Sequence, residues 1–181
     1  MPKKKAVPIL IERVVTNKEL EELLNDALTE PLKTRKGYKF ELFFENLMVR
    51  HKEFKIVYKH SRSTLGEVDY VFRNEVKDSF WQMFPYVCVE CKNWEKKISS
   101  KEMDHFVSLI KDKSPLCHFG VFMTSSSYEE SAKTSMSNAR IGDKIIIVPV
   151  ERKHLTDLVE DGFENSIRKL CEKTVFKKLF S

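Results

Sequence analysis

The spacing of apolar residues changes along the chain, and each change predicts a different kind of secondary structure. A first amphipathic helix is predicted from about 17 to 29, where Thr16 and Glu19 form a capping box ahead of an apolar stripe and Pro31 ends the pattern. A second helix is predicted from about 36 to 50, because five apolar residues recur at the spacing of one helical face. These residues are Phe40, Phe43, Phe44, Leu47 and Met48.

Short runs with strand character follow the two helices. Strands are predicted at Phe54 to Tyr58, Val68 to Phe72 and Tyr86 to Cys91, where β-branched and aromatic residues are concentrated. The charged and aromatic segment from Arg73 to Pro85 is predicted to form a hairpin or loop between the last two strands.

Helices and strands alternate in the second half of the chain. Capping boxes and apolar periodicity predict the helices, and short runs of buried character predict the strands. The predicted elements are a helix from about 100 to 112 capped by Ser99 and Glu102, a strand from His118 to Met123, a helix capped by Ser127 and Glu130, a strand from Ile145 to Val148, and a helical tail from about 152 to 179 interrupted near Gly162.

This order of elements predicts an α/β fold with a central mixed β-sheet flanked by helices on both faces. We expect an N-terminal tail and helix at 1–35, a core at 36–150 and C-terminal helices packed on that core at 151–181. The content of 41% hydrophobic and 33% charged residues is that of a soluble globular protein. No apolar run approaches the roughly 20 residues that span a bilayer, so we expect a cytoplasmic protein without a membrane partner.

Net charge and cysteine content narrow the function classes only slightly. A formal net charge of +5 favours a polyanionic partner, because clustered basic residues release counterions from phosphates. The run Met-Pro-Lys-Lys-Lys at the start is either a solvated tail or an arm that touches phosphates. The four cysteines are interpreted as reduced, small core residues, since a chain of 181 residues buries enough core without disulfides.

The segment from Tyr86 to Trp94 is an apolar strand that ends with an acid and a base two residues apart. Side chains alternate along a strand, so Cys88, Glu90 and Lys92 share one face. Alternation also places Glu67 and Asp69 together on the preceding strand. If the two strands are neighbours, Asp69 and Glu90 lie side by side and offer the hard oxygen ligands that Mg²⁺ prefers.

Asp69 followed by Glu90-Cys91-Lys92 resembles the motif of the PD-(D/E)xK nuclease superfamily. The segment Gly37-Tyr-Lys-Phe-Glu41 resembles the helix opening of Mrr-like restriction endonucleases, and Gly66-Glu-Val-Asp69 is similar to the motif of Holliday-junction-resolvase-like members. The resemblance covers about 36 to 150 and implies a restriction-endonuclease-like fold. It also implies metal ligation by Asp69 and Glu90, catalysis by Lys92 and an accessory acid at Glu41.

The resemblance implies an Mg²⁺-dependent endonuclease, with Mn²⁺ able to substitute, that cuts DNA in preference to RNA. We favour Glu41 over Glu45 as the accessory acid, because Glu41 lies nearer the apolar stripe of its helix. Three lysines after the motif are the predicted phosphate-positioning residues, and double-strand cleavage by a single-site enzyme favours a homodimer. The lysines are Lys96, Lys97 and Lys101.

Plainer alternatives exist for each of these residues. Glu90 and Lys92 can be a cross-strand ion pair at a sheet edge, and Glu41 and Glu45 can form a solvated face paired with Lys39. The whole chain can be a nuclease-fold module that binds nucleic acid or protein without cutting. Four aromatic residues near the motif can either stack on bases or pack in the core. Two sharper interpretations also stay open. The Cys-x-x-Cys spacing at 88 and 91 can suggest a zinc site, and an isolated histidine can approach the candidate active site. The aromatic residues are Trp81, Phe84, Tyr86 and Trp94, and the histidine is His105.

Overall fold

A five-stranded mixed sheet organises the protein. The computed structural model describes residues 14–63, 66–113 and 115–176, so the N-terminal lysine run and the apolar stretch from 7 to 11 lie outside the described residues. The strands are β1 (Phe54–Ser63), β2 (Gly66–Asn74), β3 (Tyr86–Lys92), β4 (Phe119–Thr124) and β5 (Ile146–Val150). The helices are α1 (Asn17–Thr29), α2 (Lys33–Val49), α3 (Ser100–Asp112), α4 (Glu130–Asn138) and α5 (Leu155–Cys171).

The strands lie in the order β1-β2-β3-β4-β5, with β3 in the centre. The two N-terminal pairs are antiparallel, and the pairs β3–β4 and β4–β5 are parallel. Parallel neighbours need a crossover, and α3 and α4 provide the two crossovers. The antiparallel pairing of β2 with β3 holds despite the long connection between them.

Helices cover both faces of the sheet, as the order of elements predicts. On one face, α1, α2 and α5 enclose an aromatic core that includes Phe44, Tyr70, Trp81 and Phe163. On the other face, α3 and α4 enclose a second core around Phe106 and further apolar residues of β4 and β5. Along β3, Val87, Val89 and Cys91 belong to the first core and Cys88 to the second, which confirms the predicted alternation.

Three of the differences between prediction and structure lie at the ends of elements. The helix α2 begins at Lys33, about one turn before the predicted start, so Gly37 lies inside it. The strand β1 continues to Ser63, five residues beyond the predicted end at Tyr58. The cap of α4 is Glu129 rather than Ser127, and no side chain caps it.

The connection between β2 and β3 contributes to the core. Its short helix at Trp81–Met83 places the Trp81 and Phe84 side chains in the aromatic core. The Asn74 side-chain amide donates to the Trp81 and Phe84 carbonyls at 2.6 and 3.0 Å, which fixes the path of the loop. Within the described residues, no helix is long and apolar enough to cross a membrane.

Candidate active site

Asp69 and Glu90 meet where β2 and β3 separate. The paired register ends at Tyr70 opposite Val89, one residue before the two acids. Beyond that point the side chains replace the ladder: the Cys91 N–H donates to Asp69 Oδ2 at 2.8 Å, and the Asp69 N–H lies 3.4 Å from Glu90 Oε2. Backbone donors inside a protein need partners, and here the two carboxylates supply acceptors where the ladder between β2 and β3 has ended.

Burial makes both acids hard to ionise, and the Asp69 charge adds to this effect at Glu90. Asp69 is 9% exposed and Glu90 is 5% exposed. Burial, followed by the Asp69 charge, raises the pKa of Glu90 to about 7, and burial likewise raises the pKa of Asp69. A cation between the carboxylates would relieve this repulsion.

Lys92 forms an ion pair with Glu90 Oε1. Burial alone would lower the pKa of Lys92, but the adjacent Glu90 carboxylate outweighs it, so the pKa is raised and the ammonium stays charged. Both residues of the pair belong to the same strand, β3, and lie at the end of this central strand of the sheet. The alternative of a cross-strand pair at a sheet edge is therefore wrong.

Glu41 lies on α2, near Asp69. Burial, then the Asp69 charge, raises the pKa of Glu41, which indicates that the two carboxylates are close enough to repel each other. Glu45, one turn further on, is occupied elsewhere: its Oε1 accepts from the Tyr70 hydroxyl at 2.8 Å and pairs with Lys59 at 2.5 Å.

Lys39 does not pair with either of these acids. It binds Asp26 at 3.0 Å and Glu30 at 2.6 Å, so the alternative that a Lys39 pair explains Glu41 and Glu45 is wrong.

His60 is a site neighbour that sequence patterns did not single out. Its Nε2 lies 3.5 Å from Glu41 Oε2, and its Nδ1 lies 3.0 Å from Glu67 Oε1, so the ring bridges two acids at the edge of the site. His60 has a φ of 52°, which breaks the regular strand geometry of β1 at this point. The segment around His60 is polar and lacks alternating apolar residues. The predicted strand therefore ended at Tyr58, before His60.

The donor set at the gap consists of the Asp69 and Glu90 carboxylates, with Glu41 close by. Carboxylate oxygens are the ligands that Mg²⁺ prefers, and water and substrate oxygens commonly complete its shell. Across residues 14–63, 66–113 and 115–176, no three His, Cys, Asp or Glu side chains are grouped tightly enough to hold a metal ion by themselves. The chemistry of the two acids therefore fits an open metal site, in which the protein supplies only part of the ligand shell. Lys92 contacts one of the two acids, Glu90.

The three predicted phosphate-positioning lysines all lie on the surface that follows β3. Lys97 and Lys101 are exposed. Lys96 is also exposed, pairs with Glu102 at 3.3 Å, and places its Nζ 4.6 Å from the centre of the Trp94 ring.

The aromatic residues divide between core and surface. Trp81 and Phe84 are buried in the first core and cannot stack on bases. Tyr86 and Trp94 are partly buried against the second core. His105 packs its ring against Gly66 at the start of β2, so close that a Cβ there would lie 2.8 Å from the His105 Cε1.

The cysteines are packed as core residues. All four are buried and free, as predicted. The Cys88 sulfur lies 3.1 Å from Cys117, whereas Cys91 belongs to the opposite face of the sheet. A zinc site built on Cys88 and Cys91 is therefore wrong.

Comparison with protein families identifies one model along most of the chain. The restriction endonuclease model Mrr_cat matches residues 32–159, which includes α2, the whole sheet and the start of α5. The matched region contains Glu41, Asp69, Glu90 and Lys92. No curated protein sequence matches the chain.

Three solved structures are similar to the chain. The DNA modification-dependent restriction endonuclease AspBHI is 15% identical with a TM-score of 0.48, covering 98% of this chain and 45% of that one. The MspJI restriction endonuclease in complex with a 27-mer oligonucleotide is 15% identical with a TM-score of 0.46, and the match covers 92% of this chain and 39% of that one. A repair endonuclease from Pyrococcus abyssi is 18% identical with a TM-score of 0.40, and the match covers 68% of this chain and 49% of that one. The chain spans less than half of each of these structures.

Proposed function

The chain belongs to the Mrr_cat restriction endonuclease family, and from that premise we propose that it is an Mg²⁺-dependent endonuclease that hydrolyses phosphodiester bonds in DNA. One observation carries the proposal: two buried carboxylates, Asp69 and Glu90, meet across the gap between β2 and β3 with the Lys92 ammonium beside them. A stable fold does not need this arrangement, since burying acids that repel each other costs free energy. The formal net charge of +5 supports a polyanionic substrate.

Each side chain has a defined part in this proposal. Asp69 and Glu90 would hold the cation, which would supply a Lewis acid for the phosphodiester and a lower pKa for its water ligand. Lys92 donates hydrogen bonds to the attacking water or to a phosphate oxygen that gains charge. Glu41 is the accessory acid on the α2 side, and the Cys91 N–H fixes the orientation of the Asp69 carboxylate. Mn²⁺ can substitute because it accepts the same oxygen ligands.

A plasmid-nicking assay tests the proposal. The wild-type protein should convert supercoiled DNA to open or linear forms with Mg²⁺ or Mn²⁺ and not with a chelator. Asp69→Asn should abolish cutting, and Lys92→Ala should slow it by roughly 10²- to 10³-fold, the usual loss when one transition-state donor is removed. Glu22→Gln, an exposed acid on α1, is the matched control and should cut like the wild type.

Two outcomes would contradict the proposal. Equal nicking by the wild type and by Asp69→Asn would assign the activity to a contaminant. Binding of DNA by the wild type without any cutting in either metal would favour the alternative of a nuclease-fold module that binds without hydrolysis.

A further inference from the structure

Two adjoining clefts lie beyond the end of β3, next to the candidate catalytic lysine. One, of about 400 Å³, is lined by Lys33, Lys36, Lys96 and the segment 93–95. The other, of about 380 Å³, shares Lys36 and that segment and adds Arg152 and the serines at 125–127. The Lys92 Nζ lies 5.9 Å from the centre of the Trp94 ring, which lines both clefts. We call these two cavities the paired clefts.

Hydrogen bonds fix the wall that the paired clefts share. The buried Asn93 side-chain amide donates to the Ala27 carbonyl at 2.8 Å and to the Lys36 carbonyl at 2.9 Å, which ties the end of β3 to α1 and α2. The Ser125 and Ser126 hydroxyls donate to the Trp94 and Glu95 carbonyls at 3.2 and 3.1 Å. A wall held this way is formed before any ligand binds.

The paired clefts have a positive lining. Lys33, Lys36, Lys96 and Arg152 contribute four cationic side chains. Lys33 is also the first residue of α2, whose N-terminus has no side-chain cap. The uncapped first turn adds the partial positive charge of a helix N-terminus, which favours anions.

One acid, Glu95, lies in the shared wall and neutralises Lys36, the cation that lines both clefts. Its Oε1 binds the Lys36 Nζ at 2.6 Å. The Lys36 side chain is only 15% exposed and is therefore held in place, whereas the Glu95 side chain is 88% exposed. An exposed carboxylate is easily displaced, because surface ion pairs are weak.

We propose that the paired clefts bind a backbone phosphate of the DNA substrate, and that the Glu95 carboxylate occupies the phosphate position on Lys36 until DNA displaces it. This inference rests on the proposed function only in taking DNA as the ligand. A carboxylate and a phosphodiester offer the same kind of oxygen to a lysine, so the exchange replaces one charge-assisted hydrogen bond with another. Glu95 thereby weakens binding and Lys36 strengthens it.

The two variants Glu95→Gln and Lys36→Gln should change DNA binding in opposite directions. Fluorescence anisotropy with a labelled duplex, in chelator so that no cutting occurs, should show about two- to five-fold tighter binding by Glu95→Gln. Lys36→Gln should bind more weakly and should reduce the slope of log affinity against log salt by about one. An ion pair with only a structural role would weaken binding in both variants or in neither.

The exposed pair of Asp161 and Lys169 on α5, joined at 2.7 Å, provides matched controls. Asp161→Asn changes the net charge by the same amount as Glu95→Gln, and Lys169→Gln by the same amount as Lys36→Gln. Each control should therefore change DNA binding less than the cleft variant of equal charge. Binding by Glu95→Gln no tighter than that by Asp161→Asn would overturn the proposal. Calorimetric titration with inorganic phosphate alone should give no saturable binding, and saturable binding lost in Lys36→Gln would assign the clefts to free phosphate instead. Because these measurements need no cleavage, they are independent of the plasmid assay.

Discussion

The Glu90 carboxyl is buried beside a second acid and a lysine, and this position makes the stability of the site depend on pH. Its pKa is about 7 in the folded chain against an ordinary 4.5, because burial and the Asp69 charge disfavour the ionised form. The stability contributed by the protonated group is fully present below pH 4.5 and is lost as pH rises through 7. Asp69 shifts in the same direction.

We therefore expect Glu90→Gln to stabilise the metal-free protein at pH 8, by roughly 1–3 kcal/mol, although it removes a proposed metal ligand. Thermal unfolding of both proteins in chelator, followed from pH 4 to pH 8, checks this. The gain should appear between the two pKa values of Glu90 and should be absent at pH 4. A difference that is the same at every pH would contradict the prediction.

Glu102 is the control of opposite sign. The Ser99 hydroxyl lowers the pKa of Glu102 to about 2, and this capping carboxylate favours the folded state when ionised. Its contribution is present above the ordinary pKa of 4.5 and is lost as pH falls towards 2. Glu102→Gln should therefore lower the stability at pH 8, where Glu90→Gln raises it.

At the scale of elements, α5 contains a break that the sequence already indicates at Gly162. The residue has a φ of 79°, and the next N–H, of Phe163, donates to the His51 Nε2 at 2.9 Å. A Cβ at Gly162 would lie 2.9 Å from the His51 ring. The glycine thus allows both the positive φ and the close approach of the histidine.

We expect Gly162→Ala to destabilise the protein by about 1–3 kcal/mol, from the positive φ and the contact with His51. Urea unfolding measures the loss. The matched control is Gly37→Ala inside α2, where an added methyl group would have no neighbouring atom within 4 Å and φ is not positive. This control should gain about 0.5–1 kcal/mol from higher helix propensity, and an equal effect of both substitutions would contradict the account of Gly162.

Local signals predicted some elements fully and others only in part. The capping boxes at Thr16 and Ser99 give the starts of α1 and α3 as observed, because caps act within one turn. The end of β1 depends on pairing with β2, a tertiary contact that no local period encodes, and so its last five residues, His60 among them, were missed. The segment from Arg73 to Pro85 was predicted to form a hairpin or loop. The burial of its Trp81 could not be predicted locally, because the ring packs against Phe119 of β4 and Phe163 of α5.

The candidate site shows the same limit. Alternation along each strand predicted that Glu90 and Lys92 share a face, and this geometry requires only a strand. That Asp69 lies beside Glu90 depends on the antiparallel pairing of β2 with β3. The sequence offered this neighbourhood only as a condition, and the register establishes it. The paired clefts join α1, α2 and two strand ends, so no single segment could indicate them.

At the scale of the whole molecule, one sheet is shared by two cores, and β3 contributes side chains to both. Loss of packing on one face should therefore be transmitted to the other through the strand that carries Glu90 and Lys92. Phe163 is fully buried and has ring contacts with Phe44, Phe54 and Trp81 at 5.9, 5.4 and 6.3 Å. It is the natural position at which to test this coupling.

We expect Phe163→Ala to lower the free energy of unfolding by about 3–5 kcal/mol, the usual cost of an aromatic cavity, while unfolding stays a single transition. In a Trp94→Phe background, the remaining tryptophan, Trp81, reports on the first core, whereas circular dichroism reports on helices of both faces. The two signals should give the same midpoint with and without Phe163→Ala. An earlier fluorescence midpoint in the Phe163→Ala protein would mean that the aromatic core unfolds alone, and that the second core and α3 fold independently of the sheet's other face.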